Sequence, residues 1–221
     1  MRPLKPSLRL KGATVNRPNE ADWSQKYRPM TMEELILPPD LAGPLIKLAQ
    51  GKGGPSMLFF GSPGMGKTTA ATLINPDSTL LVNCTVESGV DMVRELEKTC
   101  SSYTLWGDRR IVILDEADYL SANAQAALRG VVEKLSTTNM FVMTANEPER
   151  LSAAIKSRFL PIKFEILLTD EIREQLTNHL RGIMEQEGVD RVTALQLNVI
   201  VKQQFPDIRR MLKKLQLMTL Q

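Results

Sequence analysis

The sequence predicts an α/β fold, a parallel sheet wrapped by helices, followed by a small all-helical part. Three observations carry that prediction. Short apolar runs recur at 57–60, 79–83, 109–116 and 140–146, each followed by a segment with helical spacing. Strands alternating with helices argue a parallel sheet covered on both faces. The run Ile111-Val112-Ile113-Leu114 is continuously apolar, as a strand buried on both faces reads. Past Thr169 the strand pattern stops and only helical periodicity remains.

At 221 residues the chain can hold one large domain, or a large and a small one. Apolar residues make up 43%, enough for a proper core, and a net charge of +3 is too small to demand a polyanionic partner. Cys84 and Cys100 form neither a disulfide framework nor a metal site, which suits a reducing interior. No apolar run approaches the roughly 18 residues of a membrane span, so no membrane partner is expected. The basic N-terminus lacks the apolar stretch of a secretory signal.

Residues 1–20 carry five basic residues and no acid before Glu20. They read as a flexible basic tail, a solvated leader in preference to a nucleic-acid contact. In Trp23-Ser24-Gln25-Lys26-Tyr27-Arg28-Pro29 aromatic and basic residues interleave. The segment serves either to pack against a purine or to anchor the N-terminus. Thr31-Met32-Glu33-Glu34 resembles a helix start with an acidic first turn. Asp40 is the expected cap of a helix reaching Ala49.

Next comes Gly61-Ser62-Pro63-Gly64-Met65-Gly66-Lys67-Thr68-Thr69, which reads G-x-x-x-x-G-K-T between a strand and a helix. Glycines let the backbone turn its N–H groups inward to phosphate oxygens. The helix N-terminus adds partial positive charge. Lys67 is the point charge for the β- and γ-phosphates, and Thr68 offers a hydroxyl to Mg²⁺. The bound ligand is therefore expected to be a nucleoside triphosphate.

A second strand at 79–83 and an amphipathic helix at 91–98 follow. The third strand ends in Asp115-Glu116. Ligands of open parallel sheets sit at carboxyl ends of strands. Asp115 is thus a candidate Mg²⁺ holder, and Glu116 a candidate base for the attacking water; the rival reading is that both cap the next helix. After a helix at 123–135, the strand at 140–146 ends in Thr144-Ala145-Asn146. Asn146 either holds the lytic water or simply forms a turn. Ser152 begins a short helix that ends in Lys156-Ser157-Arg158-Phe159, and 162–164 closes the sheet. A helix capped at Thr169 and ending near Gly182 to Gly188, then helices at 193–204 and 207–217, complete the chain. His179 is expected on the surface.

Together these pieces resemble the AAA+ ATPases, and within them the DNA sliding-clamp loaders, over about residues 22–221. Trp23-x-x-Lys26-Tyr27-Arg28-Pro29 is similar to the loaders' N-terminal signature, which implies that Tyr27, Arg28 and Pro29 help enclose adenine. Asp115-Glu116-Ala117-Asp118 resembles Walker B, and Thr144-x-Asn146 resembles sensor 1. Ser157-Arg158 resembles the Ser-Arg-Cys motif, which implies that Arg158 enters a neighbouring subunit's ATP site. Pro206-Asp207-Ile208-Arg209 resembles sensor 2, which implies that Arg209 reaches the γ-phosphate from a helical lid. Gln125, Arg129 and Glu133 fit a family pattern near DNA and the subunit interface. The Thr-Ala-Asn and Phe-Pro-Asp-Ile-Arg runs are most similar to the ATPase subunit of T4-like phage loaders.

The resemblance implies a tail at 1–20, a P-loop α/β domain at 21–166 and a helical lid at 167–221. It implies ATP and Mg²⁺ as cofactors. The implied partners are a sliding clamp, primer–template DNA and other loader subunits, in the cytoplasm, the host's if phage-encoded. Three departures stand out: Phe159 replaces the motif's cysteine, Ser88 stands where a basic residue commonly faces DNA, and no helical collar follows Gln221. Ring assembly is then expected to rely on a partner, or to be weaker, or the chain is a fragment or divergent form. The alternatives are another AAA+ DNA motor, a helicase loader, or a nucleotide-binding structural subunit.

Overall fold

A computed structural model of the chain describes residues 21–51, 54–101 and 109–219. The expected basic tail lies outside the described residues. The elements are α1 (Trp23–Lys26), α2 (Pro39–Gln50), β1 (Met57–Gly61), α3 (Lys67–Leu73), β2 (Thr79–Asn83), α4 (Val90–Ser101), β3 (Arg110–Asp115) and α5 (Ala122–Leu135). They continue as β4 (Asn139–Ala145), α6 (Ala153–Lys156), β5 (Leu160–Phe164), α7 (Asp170–Gln186), α8 (Ala194–Gln204) and α9 (Ile208–Thr219). The strands form one sheet in the order β2-β3-β4-β1-β5. β2 and β3 run parallel with Thr79 opposite Ile111, and β3 and β4 run parallel with Leu114 opposite Met143.

The chain divides into two compact units. The first contains Pro55–Leu58 and Asp77–Leu160. Its core is the pair β3 and β4. Ile111 to Leu114 are buried, and so is every residue of β4. That is why both stretches read as unbroken apolar runs. α4 buries Met92, Val93, Leu96 and Cys100, and α5 buries Leu128, Val131, Val132 and Leu135, each at helical spacing. Ser121 caps α5, accepting from the Ala124 N–H at 3.2 Å.

The second unit contains Phe59–Pro76, the residues from Pro161 onward and the described residues before Pro55. The Phe59 and Phe164 rings meet at 5.1 Å in its core, tilted by 44°. Thr169 caps α7, with Asp170 and Glu171 in the first turn complementing the helix dipole. α8 opens with a capping box between Thr193 and Gln196.

Two local expectations change. Asp40 does not cap α2: Pro38 is the N-cap and Pro39 takes the first helical position, where the missing N–H costs no bond. The last strand begins earlier than expected and includes Pro161. β5 is an edge strand, where a proline is tolerated. Trp23–Lys26 forms a single helical turn that the sequence does not mark out.

Because Phe141 is fully buried at the centre of β4, Phe141→Ala should destabilise the chain by about 3–5 kcal/mol. Urea unfolding at equilibrium measures this.

Candidate active site

The glycine loop belongs to the second unit. Where β1 ends, Gly61, Gly64 and Gly66 have φ values of 147°, 78° and 85°. Any Cβ at Gly64 would run into the Asp207 carboxylate, so glycine is required by space as well as by dihedral. Ser62 and Pro63 are exposed, Met65 is buried, and Thr68 and Thr69 are half-buried. Lys67 opens α3 and is only 7% exposed. Its Nζ donates to the carbonyls of Gly61 and Ser62, both at 2.8 Å. The loop thus wraps around its own ammonium, a cradle shaped for polyphosphate.

The N-terminal segment lies in the same unit. Arg28 Nε donates to Thr69 Oγ1 at 3.1 Å. Pro29 is half-buried behind it. Tyr27 OH and Lys26 Nζ both donate to Glu187 Oε1 at 2.6 Å. The Lys26 bond, then the Tyr27 bond, hold the Glu187 carboxyl below the usual range. Burial, then the Glu187 bond, push the Tyr27 phenol up. A lowered carboxyl contributes stability above the ordinary range, and loses it as pH falls through the lowered value.

The run Pro206-Asp207-Ile208-Arg209 is divided. Asp207 comes against Gly64, and its Oδ1 accepts from the Arg210 N–H at 3.0 Å, starting α9. Arg209 itself is exposed on α9. His179 is half-buried instead of lying on the surface, and burial pushes its pKa down, partly opposed by Glu34. A histidine on a mostly polar helix reads as solvated; here the residues after α1 come near it.

The carboxylate site belongs to the first unit. Thr144 is buried. Its hydroxyl donates to Asp115 Oδ1 at 2.7 Å and accepts from the Glu116 N–H at 2.9 Å. Glu116 adopts φ 55°, the one non-glycine positive φ among the described residues. Asp118 is buried, and its Oδ2 accepts from the Asn146 and Glu147 N–H groups at 3.2 and 3.0 Å. Thr144 thus joins Asp115 to the Glu116 backbone, and Asp118 separately holds the backbone at Asn146 and Glu147. The Cys84 thiol beside them is pushed up to about 12, by burial first and then by Asp115, Asp118 and Glu116. It stays protonated and is no nucleophile.

Gln125 is spent on backbone inside this unit, not on solvent. Its Nε2 donates to the Leu120 and Arg150 carbonyls at 3.1 and 3.2 Å, and its Oε1 accepts from the Ser152 N–H at 2.8 Å. Arg158 follows α6 and is half-exposed, paired with Glu133 of α5. Arg129 reaches the same carboxylate at 3.5 Å. Arg158, then Arg129, hold the Glu133 carboxyl below its usual range. Sequence reasoning left Glu187 unmentioned and gave Asp118 no role beyond its motif. The Asp-Glu-Ala-Asp string contains Asp118, but nothing in the sequence ties Glu187 to residues 26 and 27.

Residues 57–168 match the family model described as ATPase family associated with various cellular activities (AAA). The chain is 32% identical over 204 residues to a replication factor C small subunit of Methanococcus vannielii, covering 88% of this chain and 63% of the relative. It is 33% identical over 212 residues to human replication factor C subunit 4, covering 88% and 57%. The chain thus spans about six tenths of the length of the curated relatives it matches. Among solved structures it resembles the Thermotoga maritima RuvB Holliday junction branch migration motor, with TM-score 0.69 and 18% identity, over 85% of this chain and 63% of that one. That likeness bears on the fold alone.

Thr144→Val keeps the shape of the side chain and removes both hydrogen bonds. ATP turnover should fall at least tenfold, about the loss of one charged hydrogen bond, while nucleotide still binds. Steady-state hydrolysis beside fluorescent-nucleotide titration checks this.

Proposed function

We infer the function from one premise: the chain belongs to the AAA family of ATPases. It works as an ATP-hydrolysing subunit of a DNA sliding-clamp loader. Its partners are a sliding clamp, primer–template DNA and further loader subunits, inside the cell. The observation that carries this is the likeness to replication factor C small subunits across most of the chain. Support at the level of chemistry comes from Lys67 in its glycine cradle and from the paired carboxylates at the end of β3.

The residues fit the cofactor. A loop of positive-φ glycines with a buried ammonium suits a triphosphate. The Thr68 hydroxyl and the Asp115 carboxylate are hard oxygen donors of the kind Mg²⁺ takes beside phosphate. Mg²⁺–ATP would supply the electrophilic phosphorus and neutralise its charge. Lys67 stabilises charge on the phosphates. Tyr27, Arg28 and Pro29 flank the base. Glu116 takes the proton of the attacking water, and Asn146 orients that water. Arg158 acts on a neighbouring subunit's γ-phosphate and does nothing for its own. Arg209 acts from the helical lid once α9 reorients toward bound nucleotide. The lid comprises 167–221, and the nucleotide-binding domain 21–166.

Binding of ATP draws subunits together around clamp and DNA, and hydrolysis releases them. ATPase activity should therefore rise more with clamp and primed DNA together than with either alone. Full stimulation by DNA alone would overturn the clamp-loading reading in favour of another DNA motor. Glu116→Gln should keep ATP binding and lose turnover. Arg158→Ala should leave nucleotide binding by the isolated subunit intact and cut stimulated hydrolysis by about a thousandfold. Single-turnover assays on purified protein, with and without partners, check both variants.

A further inference from the structure

Three consecutive residues join two elements of the second unit. Lys26 and Tyr27 both hold Glu187 at 2.6 Å. Arg28 holds Thr69 at 3.1 Å. Glu187 caps the C-terminus of α7, just before Gly188 turns the chain at φ 66°. Thr69 lies on α3, two residues after Lys67. The segment is also fastened upstream. Gln216 of α9 accepts from the Trp23 N–H at 3.2 Å and donates to the Ala21 carbonyl at 2.7 Å. Trp23 is buried and meets Tyr27 edge-on at 6.1 Å. Residues 21–28 are thus a strap, tied to α9 and α7 at one end and to the phosphate-loop helix at the other.

We propose that Glu187 is a positioning residue for nucleotide binding: by gripping Lys26 and Tyr27 it sets Arg28 against Thr69 and so holds the phosphate-loop helix to the C-terminal helices. The inference rests on reading the loop as a nucleotide site. One carboxylate oxygen takes both donors, so a single charge fixes two adjacent side chains. Release of that oxygen frees Tyr27, and the bond one residue later loses its anchor. Nucleotide that orders α3 then favours the strap, and the strap favours nucleotide by the same factor, because coupling between two sites is reciprocal. Glu187 touches no substrate. Its effect is on how tightly nucleotide is kept, not on the chemical step.

The test is ATP binding by the full chain, read by fluorescent-nucleotide titration beside steady-state hydrolysis and thermal melting. Glu187→Gln should raise the Kd for ATP about fivefold. Its kcat at saturating ATP should stay near that of the wild type, the pattern of a change in binding alone. Tyr27→Phe removes one of the two donors and should raise Kd by a smaller factor. The charge swap Lys26→Glu with Glu187→Lys should recover part of the loss. Unchanged Kd in both Glu187→Gln and Tyr27→Phe would overturn the proposal. So would a Glu187→Gln variant whose melting point, kcat and Kd all deteriorate together, since that marks a structural role. A wild-type chain that binds no nucleotide would overturn the nucleotide reading, and this inference with it.

Discussion

A single hydroxyl, that of Thr144, holds the chemical end of the sheet in place. It donates a hydrogen bond to Asp115 and accepts one from the Glu116 N–H. Without it the left-handed turn at Glu116 would lack an anchor, and such a turn costs a non-glycine residue about 1–3 kcal/mol. The cost is held by packing. Thr144 ends a run of buried residues, Met140 to Met143, that has no slack to give. Strand register does the rest, with Leu114 opposite Met143. The apolar sequence of β3 and β4 therefore does more than build a core: it sets the Asp115 carboxylate against the Thr144 hydroxyl.

Much of this was legible from residue order. Strands β3 and β4 stand out because they are buried on both faces, and burial on both faces leaves an unbroken apolar record; β2, at the sheet edge, buries only alternate residues. The glycine loop was legible because its dihedrals admit few other residues. The misreadings differ in cause, some local and some distant in sequence. Asp40 looked like a cap because capping is judged from neighbours, yet Pro38 and Pro39 already fix the backbone there. The last strand starts before the expected residue 162 and takes in Pro161, which an edge strand tolerates. His179 looked solvated because its helix neighbours are polar. Glu187 left no local trace at all, since its two donors lie about 160 positions away.

Within the second unit the same loop is approached from two sides. Asp207 comes against Gly64 and the strap reaches Thr69. Asp207 also starts α9, so the residue that limits the space at Gly64 fixes where Arg209 begins. A carboxylate beside a site for phosphate is unfavourable at close range. The Arg210 N–H and guanidinium hold that carboxylate toward its own helix. The sequence Asp207-Ile208-Arg209 thus carries opposite charges two residues apart at a helix start.

The trans role proposed for Arg158 requires that its guanidinium be able to leave its own chain. Its guanidinium rests on Glu133, and the Ser157 hydroxyl accepts from its Nη1 at 3.1 Å. Both members of the ion pair are well exposed, at 36% and 44%. Water screens such a pair, and it contributes little to stability. Arg129 lies on the same carboxylate, so Glu133 keeps a cation when Arg158 leaves. A triphosphate enclosed between subunits is a far stronger attractor, because it carries several charges in a medium of lower dielectric. On the trans role proposed for Arg158, the exchange would run in one direction, from a weak partner within the chain to a strong one on a neighbour. Were Arg158 buried in a tight pair, the same transfer would leave a bare carboxylate in the interior, and the arginine would be structural instead.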